Sequence, residues 1–224
     1  TFYTCGVNPQ LSFEREFKLT PTTKQESILV VGGGPGGMVT AITAAERGYK
    51  DIELWEKDYE LGGALKAAGA PPFKFQTARY LEYLKRQVAK YNINLKLHRT
   101  ATAEDILALN PDVVVIAGGA EPIVPNLPGS EKGHVIEACA LLSQSLETGD
   151  KVVVLGGGSV GIEAALTLDK QGKDVTVVEM LDTVLAKAIE APNQHSAIIA
   201  EIDKSHIKVM TSKKLTRVDK DKVY

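Results

Sequence analysis

The sequence predicts an α/β fold made of two parallel-sheet units, and three observations predict it. A β-branched apolar run, Ile28-Leu29-Val30-Val31, feeds a glycine cluster, Gly32-Gly33-Gly34-Pro35-Gly36-Gly37. A second run, Lys151 to Leu155, feeds Gly156-Gly157-Gly158-Ser159-Val160-Gly161. Each cluster opens a helical stretch that closes on a glycine, Gly48 or Gly172, sixteen residues past the first glycine of its unit. Each is then followed by a strand ending in an acid: Ile52 to Trp55 before Glu56, and Val175 to Val178 before Glu179. One strand–turn–helix–strand–acid unit therefore occurs twice, and strands alternating with helices imply parallel sheets.

Composition narrows the function. The chain has 224 residues, 44% of them hydrophobic and 24% charged, with a formal charge of −2. A chain of this length buries roughly 70% of its unfolded surface, so a real core is expected. Near-neutral charge argues against a nucleic-acid partner. No stretch approaches about 20 uninterrupted apolar residues, so no membrane partner is expected. No basic start precedes an apolar run, so no secretory signal is visible. The two cysteines, Cys5 and Cys139, are far apart and form no disulfide framework, which points to a reducing, cytoplasmic setting.

The remaining elements follow in order. Residues 1–26 are polar and irregular and read as a connecting arm. Residues 27–128 read as the first domain and 129–224 as the second, with Pro122, Pro125, Pro128 and Gly129 marking the linker. Ala78, Leu81, Leu84 and Val88 give residues 75–90 an amphipathic helical period. Thr102 caps a short helix running to Leu109. Val113 to Ala117 is a fully apolar strand before Gly118-Gly119. Residues 136–147 and Asn193 to Lys204 read as helices, and Lys208 to Tyr224 alternates as strands do.

The glycine spacing carries the chemistry. A dinucleotide pyrophosphate must approach a backbone closely: one glycine makes the tight turn, a second clears the phosphate's path, and a third lets helix and strand pack. Gly32, Gly34 and Gly37 meet this spacing, with Glu56 nineteen residues past Gly37; Gly156, Gly158 and Gly161 meet it again, with Glu179 eighteen past Gly161. The acid at the strand end accepts from the adenosine ribose hydroxyls. A glycine triplet alone also fits a doubly wound fold whose turn binds nothing, and Glu56 alone fits a solvated strand end. The strand, helix and acid around each triplet favour two Rossmann-like dinucleotide sites, one for FAD and one for NAD(P)H. Met180 and Leu181 after Glu179 supply no arginine for a 2′-phosphate, so NADH is the expected nicotinamide partner. Cys139 reads as a small buried hydrophobe. Trp55 reads as core, with stacking on adenine the rival. His98, His134, His195 and His206 show no metal-ligand spacing.

These motifs, with Glu56-Lys57, Leu61-Gly62-Gly63, Ala70-Pro71-Pro72, the run from Asp112 to Gly119 and Gly156 to Glu163, resemble the C-terminal part of the 2,4-dienoyl-CoA reductase group of NADH:flavin oxidoreductases, which includes enoate reductases and trimethylamine dehydrogenase. The resemblance implies a disulfide-reductase-like, three-layer FAD/NAD(P)-binding fold with an incomplete second unit. It implies a full-length enzyme with an N-terminal FMN barrel and a 4Fe-4S cluster, in which electrons pass from NADH through FAD, cluster and FMN to an activated C=C bond. Cys5-Gly6-Val7-Asn8-Pro9 resembles the stretch holding the family's fourth cluster cysteine, which makes Cys5 a metal-ligand candidate. The chain itself then resembles an internal fragment, missing the barrel and inactive alone on the final substrate; the full-length protein is a candidate homo-oligomer.

By position, the resemblance assigns Gly32, Gly34, Pro35, Gly36 and Gly37 to the FAD pyrophosphate, and Glu56 with Lys57 to its ribose. Gly63 and the loop after it would cover the adenosine-to-ribityl part, and Ala117 and Gly118 would lie near the flavin. Gly118 stands where relatives usually carry threonine. Gly156, Gly158, Ser159, Val160 and Gly161 are assigned to NAD(H), with Glu163 near the nicotinamide and Glu179 on the ribose. No residue is assigned as catalytic. The alternatives are the ADP-binding module of an amine dehydrogenase, and a nucleotide-binding electron-transfer module without chemistry.

Overall fold

The structure is a computed structural model that describes residues 5, 7, 8, 10–132, 135–186, 192–220 and 222–224. The chain divides into two compact units. One comprises the described residues up to Lys66 together with Gln76–Ala120; the other comprises Ala67–Phe75 and the described residues from Glu121 to Tyr224.

In the first unit, four parallel strands lie in the order β3-β2-β1-β4: β1 is Ile28–Val31, β2 Ile52–Trp55, β3 Asn94–Lys96 and β4 Val113–Ile116. Helix α1 (Pro35–Glu46) crosses from β1 to β2, and α3 (Phe75–Lys90) precedes β3. The apolar period read in the sequence is the packed face of α3: Leu81, Leu84 and Val88 join Val30, Leu54, Met38 and Ile42 in one core. Each such leucine, fully buried, contributes about 1.5–3 kcal/mol. Helix α4 (Ala103–Leu109) starts where Thr102 Oγ1 accepts from the Asp105 amide at 3.1 Å. Helix α2 (Ala64–Gly69) carries the chain across the unit boundary.

In the second unit, β5 (Lys151–Leu155), β6 (Asp174–Val178) and β7 (Lys208–Met210) are parallel in that order. Helix α6 (Ser159–Lys170) joins β5 to β6, and α7 (Pro192–Asp203) precedes β7. Ile162, Leu166, Val175, Val177, Leu185 and Ile198 form the core. Helix α5 (Ala138–Gln144) adds Leu142, which packs with Ala67 and Ala164.

Several boundaries differ from the sequence reading. The second compact unit takes in residues from Glu121, and within it the Val218 amide donates to the Pro128 carbonyl at 2.9 Å. It also takes in residues 67–75, through Ala67, Phe73 and Lys74. The helix expected over 136–147 spans only 138–144, because Glu137 caps its start and Ser145 ends it in the left-handed region. Of the strands expected after Lys208, the described residues form β7 and a single bridge between Val218 and Val223. The apolar β4 is an edge strand, so Ile116 stays 69% exposed. Gly6, Pro9 and His134 lie outside the described residues.

Candidate functional site

Each glycine cluster joins its strand to its helix by one repeated set of backbone contacts. Gly32 donates to the Trp55 carbonyl at 2.7 Å, and Gly156 to that of Val178 at 2.9 Å. Met38 donates to Gly34 and Ile162 to Gly158, both at 2.9 Å, closing the first helical turn. Gly62 donates to the Gly33 carbonyl at 2.9 Å; Leu185 donates to that of Gly157 at 2.7 Å. Gly32 and Gly156 have φ of +108° and +100°, where only glycine sits without strain. Gly37 and Gly161 serve packing instead: a Cβ on either would run into the carbonyl oxygen of Gly32 or Gly156.

Gly34 and Gly158 differ from these. Their φ values, −74° and −73°, suit any residue. A Cβ on Gly158 would meet nothing within 4 Å, and one on Gly34 only the Gly63 Cα at 3.9 Å. A Cβ on Gly36 would also stand in open space. Neither conformation nor packing within the chain demands glycine at these positions. The bare floor fits a group from outside the chain that must approach the backbone closely, as a pyrophosphate does.

The helix starts support the same reading. Helices α4 and α5 are capped by Thr102 and Glu137. Helices α1 and α6 have glycine N-caps, no side-chain cap and no acid in the first turn. Their N-terminal amides and positive dipole ends are left for an anion. Pro35 removes one donor from the first helix, whereas Ser159, half-buried, keeps its own; Val160 is exposed where the first unit has Gly36.

Glu56 and Glu179 are buried, at 7% and 8% exposure. Glu56 accepts from the amides of Gly33 at 2.6 Å and Asp58 at 2.8 Å. Glu179 accepts from Gly157 at 2.6 Å and Leu181 at 2.7 Å. The Leu181 amide, joined by those of Gly157 and Met180, holds the Glu179 carboxyl below the usual glutamate range against the opposing effect of burial. A carboxylate has about four acceptor positions, more than the loop amides that each acid engages here. Lys57 is exposed beside Glu56.

Other predicted residues fall nearby. Gly63 packs on Gly34, its would-be Cβ lying 2.9 Å from the Gly34 Cα. Ala117 donates to the Val31 carbonyl at 2.7 Å and its own carbonyl lies against Gly32, while Gly118 is exposed. Trp55 is core, 4% exposed. Cys5 is half-buried, and among the described residues no three His, Cys, Asp or Glu side chains gather as a metal site. Cys139 is also half-buried, and burial with the nearby Glu137 pushes its thiol up.

Glu163 is 5% exposed, and both its oxygens are held by Lys74 Nζ, at 2.8 and 2.9 Å. Sequence reasoning missed this lysine. It follows the Ala70-Pro71-Pro72 motif, but nothing in a one-dimensional pattern joins it to a helix 89 residues away.

The family model for pyridine nucleotide-disulphide oxidoreductases matches residues 26–224. The chain is 35% identical over 222 residues to a bilirubin reductase of Mediterraneibacter gnavus, covering 99% of this chain and 34% of that protein. It is 38% identical to an NADH oxidase of Thermoanaerobacter brockii, covering 96% of this chain and 33% of the relative. It is 36% identical to a cinnamate reductase of Clostridium sporogenes, covering 81% and 27%. Among solved structures, a 2-naphthoyl-CoA reductase superposes with a TM-score of 0.87 at 35% identity, over 98% of this chain and 33% of that one. The chain thus spans about a third of the length of these relatives.

Proposed function

Because the chain belongs to the pyridine nucleotide-disulphide oxidoreductase family, we propose that it is the FAD- and NADH-binding electron-input portion of a longer flavin-dependent reductase. The observation that carries this reading is the pair of bare-floored glycine cradles, each with an uncapped helix start and a braced acid. When bound, FAD would supply two-electron chemistry, taking a hydride from NADH and passing the electrons onward.

The chain's own residues bind and orient. The α1 and α6 N-termini face phosphate, Gly34 and Gly158 let it approach, and Glu56 and Glu179 take ribose hydroxyls with the acceptor positions that remain on their oxygens. Glu179 repels a 2′-phosphate, which favours NADH over NADPH. Lys74 neutralises Glu163 one turn into α6, so that no bare charge opposes the dinucleotide's phosphates.

Onward transfer through a 4Fe-4S cluster with Cys5 as one ligand, then through FMN in an N-terminal barrel to an activated C=C bond, rests on the family resemblance and on relatives that are bilirubin and cinnamate reductases. A cytoplasmic, oligomeric full-length enzyme belongs to the same proposal. No described helix is long and apolar enough to cross a membrane. The amine-dehydrogenase reading, with ADP in the first site and a vestigial second, fares worse because the second cradle keeps its bare floor and braced acid.

Titration of FAD and NADH into the wild type, Gly34→Ala and Gly158→Ala tests the assignment. Gly34→Ala loses FAD affinity, and Gly158→Ala loses NADH affinity, each by roughly tenfold or more, or about 1.4 kcal/mol. Folding stability stays nearly unchanged, because the methyl on Gly158 meets nothing within 4 Å and that on Gly34 meets only the Gly63 Cα, at an ordinary contact distance of 3.9 Å. Unaltered binding in both variants overturns the reading.

A further inference from the structure

The internal repeat sets two cations in matching places, and among the described residues only one of them is engaged. In the first unit the chain leaves β3 through His98, at φ +53°, whose amide donates to the Asp58 carbonyl at 3.0 Å; the Arg99 amide then donates to the Glu56 carbonyl at 2.8 Å. In the second unit the chain leaves β7 through Ser212, also at φ +53°, whose amide donates to the Leu181 carbonyl at 2.7 Å; the Lys213 amide then donates to the Glu179 carbonyl at 2.9 Å. The backbone passes both acids by one path, so Lys213 stands to Glu179 as Arg99 stands to Glu56.

Their side chains have different company. The Arg99 guanidinium lies 4.7 Å from the centre of the Trp55 ring and donates to Asp105 at 2.8 Å. At the place of Trp55 the second unit has Val178, which offers no ring. Lys213 is exposed and pairs with no carboxylate among the described residues. Arg217, another cation of the same stretch, lies 3.9 Å from the Tyr224 ring centre and pairs with Asp219 at 4.0 Å.

We propose that Lys213 is a specificity-determining residue of the second nucleotide site: its backbone is fixed beside that of Glu179, and its exposed side chain receives an anionic substituent on the adenosine ribose. The site therefore prefers NADH but accepts NADPH as a weaker ligand, since the attraction of Lys213 for a 2′-phosphate offsets the repulsion from Glu179. This inference rests on reading the second cradle as a pyridine-nucleotide site. In the first cradle Arg99 is held by Trp55 and Asp105, which suits an adenosine that bears no such phosphate.

Calorimetric titration of NADH and NADPH into the full chain, Lys213→Ala, Lys213→Arg and Lys214→Ala provides the test. Lys213→Ala weakens NADPH about tenfold, the worth of one charge-assisted hydrogen bond, and leaves NADH within about twofold. Lys213→Arg retains NADPH. Lys214→Ala removes the same charge one residue away and changes neither ligand. An unchanged NADPH affinity in Lys213→Ala, an equal loss of both nucleotides, or no detectable NADPH binding to the wild type overturns the inference while NADH binding stands. Failure of both nucleotides to bind the wild type overturns the underlying site assignment as well.

Discussion

In the first unit β1 lies between β2 and β4, whereas in the second β5 is bonded to β6 alone among the described residues. The loops that follow these two strands nevertheless share the same turn, the same braced acid and the same uncapped helix start. Differences collect one layer out. Leu61 covers Gly33 where Val184 covers Gly157, and Gly62 bonds the loop where the second unit uses Leu185, a buried leucine at φ +56°. The fifth residue of the helix is Val39 in α1 and Glu163 in α6. The repeated turn is thus carried by backbone that varies little, and the two units differ in the side chains that support it.

The largest expected effect comes from that fifth helix position. Lys74→Met leaves the Glu163 carboxylate buried and unpaired and lowers stability by about 3–5 kcal/mol. Adding Glu163→Gln recovers part of the loss, because the residual group is then neutral. Urea unfolding measures both variants; a Lys74→Met midpoint equal to the wild type removes the pair as a difference between the units.

The shared geometry gives a smaller, matched pair. Gly37→Ala and Gly161→Ala each push a methyl against a backbone carbonyl and cost about 1–3 kcal/mol. Similar shifts in the two variants confirm that the cradles are equivalent, and a shift in only one breaks the comparison.

The smallest effect is a pH dependence. Glu179 binds its proton less tightly when folded than when unfolded, so its ionised form contributes stability above the ordinary glutamate pKa of about 4.3. That contribution is lost as pH falls from there through the lowered folded value. Glu179→Gln flattens this part of the stability–pH curve. An equally steep acid limb in the variant assigns the loss to other groups.

Sequence made the repeated unit legible because its signals are local. A β-branched run, a glycine spacing, an acid after a strand and Thr102 before Ala103 are each written within a few residues. It concealed β3, three residues with only Leu95 partly buried, because so short a segment has no period to read. It concealed the Lys74–Glu163 pair because contact across 89 residues leaves no local trace. It overextended the strands after Lys208, where polar alternation persists but only Lys208–Met210 finds a neighbouring strand in β6. The acids were placed correctly at strand ends. Their grip on the Gly33 and Gly157 amides needed three dimensions, because the carboxylate must curl back over its own loop.

Residues 67–75 give the chain a particular order of biosynthesis. They leave the ribosome among the elements of the first unit but complete the second. Lys74 and its partner are 89 residues apart, which at roughly 5–20 residues per second is a delay of about 4–18 s. During that delay β4 emerges and closes the first sheet, while Phe73 and Lys74 wait without a surface to cover. The nascent chain therefore holds one finished layer and one unfilled docking segment together, and translation through α6 ends that exposure.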